Sequence, residues 1–120
     1  MNTKVTGNNG EDKAAEYLIQ KGYAVLDRNW RTKTGEIDII ALKDEYIVFV
    51  EVKSLPNGTP DLLQTELNRG KLQRIVKTSK RFLLNHRQYS NSYVRYDVIV
   101  IDMPGMPDVY HIENAFTELL

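Results

Sequence analysis

Two stretches of this chain, Gly35 to Leu42 and Tyr46 to Lys53, are almost continuously apolar and rich in β-branched residues: Ile37, Ile39 and Ile40, then Val48, Phe49, Val50 and Val52. A strand with one wet face alternates apolar and polar residues, whereas an unbroken run belongs to a strand covered on both faces. Only Asp44 and Glu45 separate the two runs, so they are expected to form a hairpin with a tight turn. Such a sheet needs helices against it.

The chain supplies them. Ala14, Ala15, Leu18 and Ile19 recur at helical spacing within Glu11 to Lys21, with Asn8 or Asn9 as cap and Gly22 as terminator. Leu72, Ile75, Val76, Ser79, Phe82 and Leu83 mark one face of a second helix from Glu66 to Arg87. Further strands are expected at Tyr23 to Trp30 and Val94 to Asp102, with a short edge strand at Val109 to Ile112 and helical character in the last residues. Pro56, Asn57, Gly58 and Pro60 make 54–65 a long, mobile loop, and 1–9 is expected to be a flexible tail. The whole is a single domain, 1–120, of the α/β class: a mixed sheet flanked by helices in the order α-β-β-β-α-β(-β).

Composition narrows the chemistry. There is no cysteine, which excludes disulfides, thiolate metal sites and thiol nucleophiles. The two histidines, His86 and His111, have no partner at ligand spacing and are expected at the surface. No apolar run is long enough to cross a bilayer, and the polar start lacks a signal peptide, so a cytoplasmic protein with no membrane partner is expected.

Three charges interrupt the apolar hairpin. With the turn at Asp44-Glu45, Asp38 lies opposite Glu51 on one face, shared with Lys53. Directly opposed side chains have Cβ atoms only about 4.5–5.5 Å apart. Two carboxylates so placed either take up a proton or hold a cation between them, and hard oxygen ligands favour Mg²⁺ or Mn²⁺. The alternative is a half-exposed sheet on which Lys53 pairs with Glu36 across the hairpin. Glu11 has two readings as well: the acid of a capping box with Asn8, or a carboxylate on the core-facing stripe that reaches a metal at the sheet.

The net charge is zero, but its distribution is uneven. From Arg69 to Arg87 stand seven basic residues and no acid, while beyond Arg95 there is no Lys or Arg. Lys71, Arg74, Lys77 and Arg81 are therefore candidates for contacts to a phosphate backbone. Arg31 and Lys33 would extend the patch; Trp30 either joins them or belongs to the core.

Gly10-Glu11, Asn29-Trp30-Arg31, Gly35-Glu36-Ile37-Asp38, Val48-Phe49-Val50-Glu51-Val52-Lys53 and Arg95-Tyr96-Asp97-Val98, in that order, resemble the YraN-like family of bacterial proteins. That family is similar to archaeal Holliday-junction resolvases, within the PD-(D/E)xK nuclease-like superfamily. The resemblance implies a restriction-endonuclease-like core. It implies Asp38 and Glu51 as metal ligands with the Val52 carbonyl as a third, Lys53 as the group that orients water or stabilises charge on phosphate, and Glu11 as an accessory acid. The implied activity is metal-dependent endonucleolytic hydrolysis of DNA, more than RNA, with branched DNA as a substrate. The alternative is a protein of the same fold that binds nucleic acid without cutting it, within a repair or processing complex; a small interaction module with purely structural carboxylates is a third. A homodimer is the assembly such resolvases use, and Leu62 and Leu63 are candidate contacts. The chain departs from the family at Leu55, where Arg is usual, and at Pro60-Asp61, near which Phe-Gly is usual; both bear on substrate grip, not on the ligands.

Overall fold

The structure, a computed structural model, describes residues 9–119. The capping role considered for Asn8, and most of the tail expected over 1–9, lie outside them. The elements in chain order are α1 (Asn9–Gln20), β1 (Ala24–Thr32), β2 (Gly35–Lys43), β3 (Tyr46–Ser54), α2 (Pro60–Glu66), α3 (Arg69–Asn85), a 3₁₀ turn (Arg87–Tyr89), β4 (Tyr93–Ile101) and β5 (Val109–Phe116). The five strands form one mixed sheet in sequential order. Neighbours are antiparallel except β3 and β4, which run parallel. A parallel pair needs a crossover, and α2 and α3 provide it.

The apolar hairpin is buried on both faces, as its lack of alternation implies. On one side Ala14, Ala15 and Leu18 of α1 pack on Ile39, Ala41, Val48, Val50, Ile99 and Ile101. On the other, Ile75, Val76 and Phe82 of α3 pack on Ile40, Ile47, Phe49, Tyr96, Val98 and Val100. Trp30 joins this second core, edge-on to Phe82 with ring centroids 5.3 Å apart, which decides between its two readings. Ile19, expected on the core stripe of α1, is exposed.

Gly22 ends α1 as the sequence suggests. At φ +92° it lets Tyr23 N–H reach back to the Leu18 carbonyl (2.9 Å) while its own N–H bonds Ile19 (3.0 Å), a Schellman arrangement that satisfies the last carbonyls. Among the described residues no helix is long and apolar enough to cross a membrane.

The stretch 54–65 is not a loop throughout. Thr59 caps α2, accepting the Leu62 N–H at 3.2 Å, and Pro60 sits in the first turn, where its missing N–H costs nothing. Leu63 then turns into the core and is unavailable for the dimer contact expected of it, while Leu62 remains exposed. The basic helix starts at Arg69 rather than Glu66, because Asn68 caps it by accepting the Lys71 N–H at 3.0 Å. The final strand runs on to Phe116 where a short strand and a helical tail were expected.

Candidate metal and phosphate site

The tight turn forms at Asp44, whose φ of +54° closes it. Strands β2 and β3 pair from Lys43↔Tyr46 to Ile39↔Val50. The next rung, Asp38 and Glu51, is not a backbone pair. The Asp38 side chain intervenes, its Oδ2 accepting the Val52 N–H at 2.8 Å. The hairpin thus opens at its far end, and both carboxylates face the gap.

That gap is a cleft of about 330 Å³ bordered by Asp38, Glu51, Lys53, Lys71 and Arg74. Glu51 is 5% exposed. Its Oε2 lies 2.7 Å from Lys71 Nζ and 3.8 Å from Lys53 Nζ, and Lys53 also reaches Glu66 Oε1 at 3.5 Å. Lys53 does not pair with Glu36; Arg31 takes that partner at 2.8 Å, both side chains largely in solvent. Burial, and then the hydrogen bond and negative charge of Glu51, push the Asp38 carboxyl up to about 8. The Val52 N–H works against this and is outweighed. Lys71 is held above its ordinary value: burial opposes the charge, and the Glu51 carboxylate more than restores it.

Glu11 is buried on α1, accepting Arg28 Nε at 3.0 Å and Asn29 Nδ2 at 2.8 Å. Arg28 also holds Asp12 at 2.7 Å. Glu11 also adds, last among the causes, to the negative field that raises Asp38. Arg28 and Asn29 were not foreseen as its partners. Asn29 at φ +54° and a register shift at Val25–Asp27 turn this part of β1, and neither is visible in apolar patterning.

Arg74, Lys77 and Arg81 are all exposed along α3. Among the described residues none has an ion-pair partner. The β1–β2 turn docks on this helix: Thr34 Oγ1 bonds Thr78 Oγ1 at 2.9 Å. A Cβ on Gly35, whose φ is +150°, would stand 3.3 Å from that Thr78 oxygen and 3.8 Å from Arg74 Cβ. Glycine there lets the open end of the hairpin lie against the basic helix. Lys71, expected on the phosphate-binding face, instead turns into the cleft.

The donor set fits a hard divalent cation. Among the described residues no three His, Asp or Glu side chains stand together in a ligand cluster. A Mg²⁺-type ion, however, commonly takes one or two protein carboxylates and completes its shell with water and phosphate oxygens. Two adjacent carboxylates, one driven towards protonation by burial and then by the other, are the local chemistry that such a cation would relieve. Asp38 and Glu51 would hold it, with Val52 at the cleft wall.

A second charged cluster was missed. Asp97 on β4, fully buried, accepts Arg95 Nε at 2.9 Å, Arg95 Nη2 at 2.8 Å, the Asn114 N–H at 2.9 Å and His111 Nε2 at 2.7 Å. His111 is therefore not a surface residue; its Nδ1 meets the Tyr17 hydroxyl at 3.2 Å. His86 is also half-buried, stacked on Phe82 at 3.9 Å and bonded to the Phe82 carbonyl.

Comparison with known proteins shows the family. The model of "Uncharacterised protein family UPF0102" matches residues 10–101. A UPF0102 protein of Treponema denticola is 44% identical, covering 92% of this chain and 93% of its own. One from Treponema pallidum (strain Nichols) is 41% identical over 98% and 96%, and one from Persephonella marina 40% over 93% of each. With the matched region spanning the hairpin, the cleft and the basic helix, the chain belongs to the UPF0102, or YraN-like, family.

Proposed function

We propose that this protein is a divalent-metal-dependent nuclease that hydrolyses phosphodiester bonds of DNA, branched DNA in particular. The observation that carries the reading is the convergence of Asp38, Glu51 and Lys53 on one cleft beside an acid-free helix face. Their order along the chain resembles that of PD-(D/E)xK nucleases.

In this reading Arg74, Lys77 and Arg81 take the phosphate backbone and set its path. Asp38 and Glu51 hold the cation, which when bound lowers the pKa of water and neutralises phosphate charge. Lys53 is kept beside Glu51 by its ion pairs and stabilises the charge that develops on the phosphate. The buried walls of the hairpin keep the dielectric low, so each of these charges acts strongly.

A second reading, binding without cleavage, draws on Leu55. Where the family usually has Arg, this side chain is buried in the α3-side core, and so offers a substrate nothing. Labelled duplex, flap, four-way-junction and single-stranded DNA, with a matched RNA set, tested across several metals, separate the two. Cutting by wild type that disappears in Lys53→Ala, while folding and DNA binding persist, supports the nuclease. Metal and DNA binding with no cutting of any substrate supports the binder.

A further inference from the structure

Two ammonium groups converge on Glu51, but they are held differently. Lys53 stands on a strand between two acids, Glu51 and Glu66, and its side chain is 16% exposed. Among the described residues Lys71 forms an ion pair with Glu51 alone, Oε2 at 2.7 Å, and its side chain is 32% exposed. It rises from the first turn of α3, whose backbone is pinned by the Asn68 cap. The long stem can therefore swing without moving the helix. A Mg²⁺ ligand oxygen sits about 2.1 Å from the ion. An ammonium 2.7 Å from that same oxygen would face the ion at a distance where like charges repel strongly.

We propose that Lys71 is a displaceable counter-ion: it neutralises Glu51 until a divalent ion binds there, and then swings off the carboxylate towards phosphate in the cleft beside Arg74. This rests on Asp38 and Glu51 being the metal ligands. Metal affinity is then set by competition with a side chain of the protein itself. The released ammonium also makes metal and phosphodiester bind cooperatively, each raising affinity for the other.

The test is calorimetric titration of the full chain with Mn²⁺ at one pH and ionic strength, for wild type, Lys71→Met, Lys71→Gln, Lys71→Arg, Arg74→Met and Glu51→Gln, each checked for folding by circular dichroism. Removing the ammonium should tighten Mn²⁺ binding about tenfold. Lys71→Arg should stay close to wild type. Arg74→Met, which removes a charge from the same cleft but not from Glu51, should change affinity much less. Unchanged affinity in both neutral Lys71 variants, or equal tightening in Arg74→Met, overturns the counter-ion. Wild type that binds Mn²⁺ no better than Glu51→Gln does, with no gain in the Lys71 variants, overturns the metal site itself and this inference with it. In wild type, the NMR signal of the Lys71 ammonium should lose its hydrogen-bonded shift on addition of Mg²⁺; a signal that does not move counts against displacement.

Discussion

Asp97 and Asp38 are the same residue type on strands of the same sheet, Asp97 fully buried and Asp38 half-buried at the cleft, and their carboxyls shift in opposite directions. Burial raises both. At Asp97 the bonds from His111, Arg95 and the Asn114 N–H more than reverse it, and the carboxyl falls below its ordinary value. At Asp38 the main neighbour is another carboxylate, the Val52 N–H is its one hydrogen-bond donor among the described residues, and the carboxyl rises to about 8. A carboxylate kept for stability is surrounded by donors. One left short of donors beside a second acid is in a state that a proton or a cation would relieve. In the proposed reading, that difference separates a structural acid from a metal ligand.

Substitutions should widen the contrast. Under the proposed nuclease activity the largest effect falls on catalysis: Lys53→Ala, or Asp38→Asn, should lower the rate of DNA cleavage by about two to three orders of magnitude, read in single-turnover assays. Next comes folding. Asp97→Ala leaves Arg95 and His111 without their buried partner and should cost about 3–5 kcal/mol in urea denaturation. Asp38→Asn removes a repelled carboxylate and should leave the protein as stable or more so, by ~1 kcal/mol, while abolishing the Mn²⁺-dependent rise in Tm. A loss of stability in Asp38→Asn comparable to that in Asp97→Ala would erase the distinction.

Acidity separates the two regions again, with opposite slopes. Asp38 keeps its proton when folded and loses it when unfolded between about pH 4 and 8. Its contribution to stability is therefore complete below that window and declines as pH rises through it, while divalent-ion affinity climbs. Asp97 contributes above the unfolded carboxylate pKa, about 3.9, and its contribution disappears as pH falls through its lower folded value. Replacing each in turn by Asn and measuring stability from pH 3 to 9 should flatten one limb and then the other. A smaller effect lies on α3. Exchanging Arg74, Lys77 and Arg81 together for Ala should reduce the salt dependence of DNA binding by roughly three units of slope. Glu36→Gln, which breaks only the exposed pair with Arg31, should change stability by less than ~0.5 kcal/mol.

The hairpin and its charges were legible because register follows from a turn and a two-residue period. Once Asp44 closes the turn, Asp38 must approach Glu51. The cores of α1 and α3 were legible for a similar local reason. Other parts depended on tertiary placement. The swing of Lys71 into the cleft depends on the rotational phase of α3 over the sheet, which its own periodicity leaves open. His111 pairs with Ile99 on β4, which sets it diagonally across from Asp97 on one face; that register follows from the long turn between Ile101 and Val109, which the sequence alone leaves open. The short helix at Pro60 was masked by its Pro- and Gly-rich approach, although Thr59-Pro60 carries a cap and a first-turn proline.

The parallel pairing of β3 with β4 also orders events in time. Strands β1 to β3 are sequence neighbours and can associate by closing short loops, whereas β4 must wait for the whole α2–α3 crossover to fold back, a slower, high-contact-order step. Asp38, Glu51 and Lys53 belong to the early piece; Lys71 and Arg74 arrive with the late one. During refolding the two acids are thus assembled before Lys71 comes to balance them. Divalent ions that bind the nascent hairpin would relieve the repulsion between its two acids and speed its formation, whereas high pH, which strips the Asp38 proton, would retard it. Stopped-flow refolding with and without Mg²⁺ would reveal this ordering as an acceleration confined to the first phase.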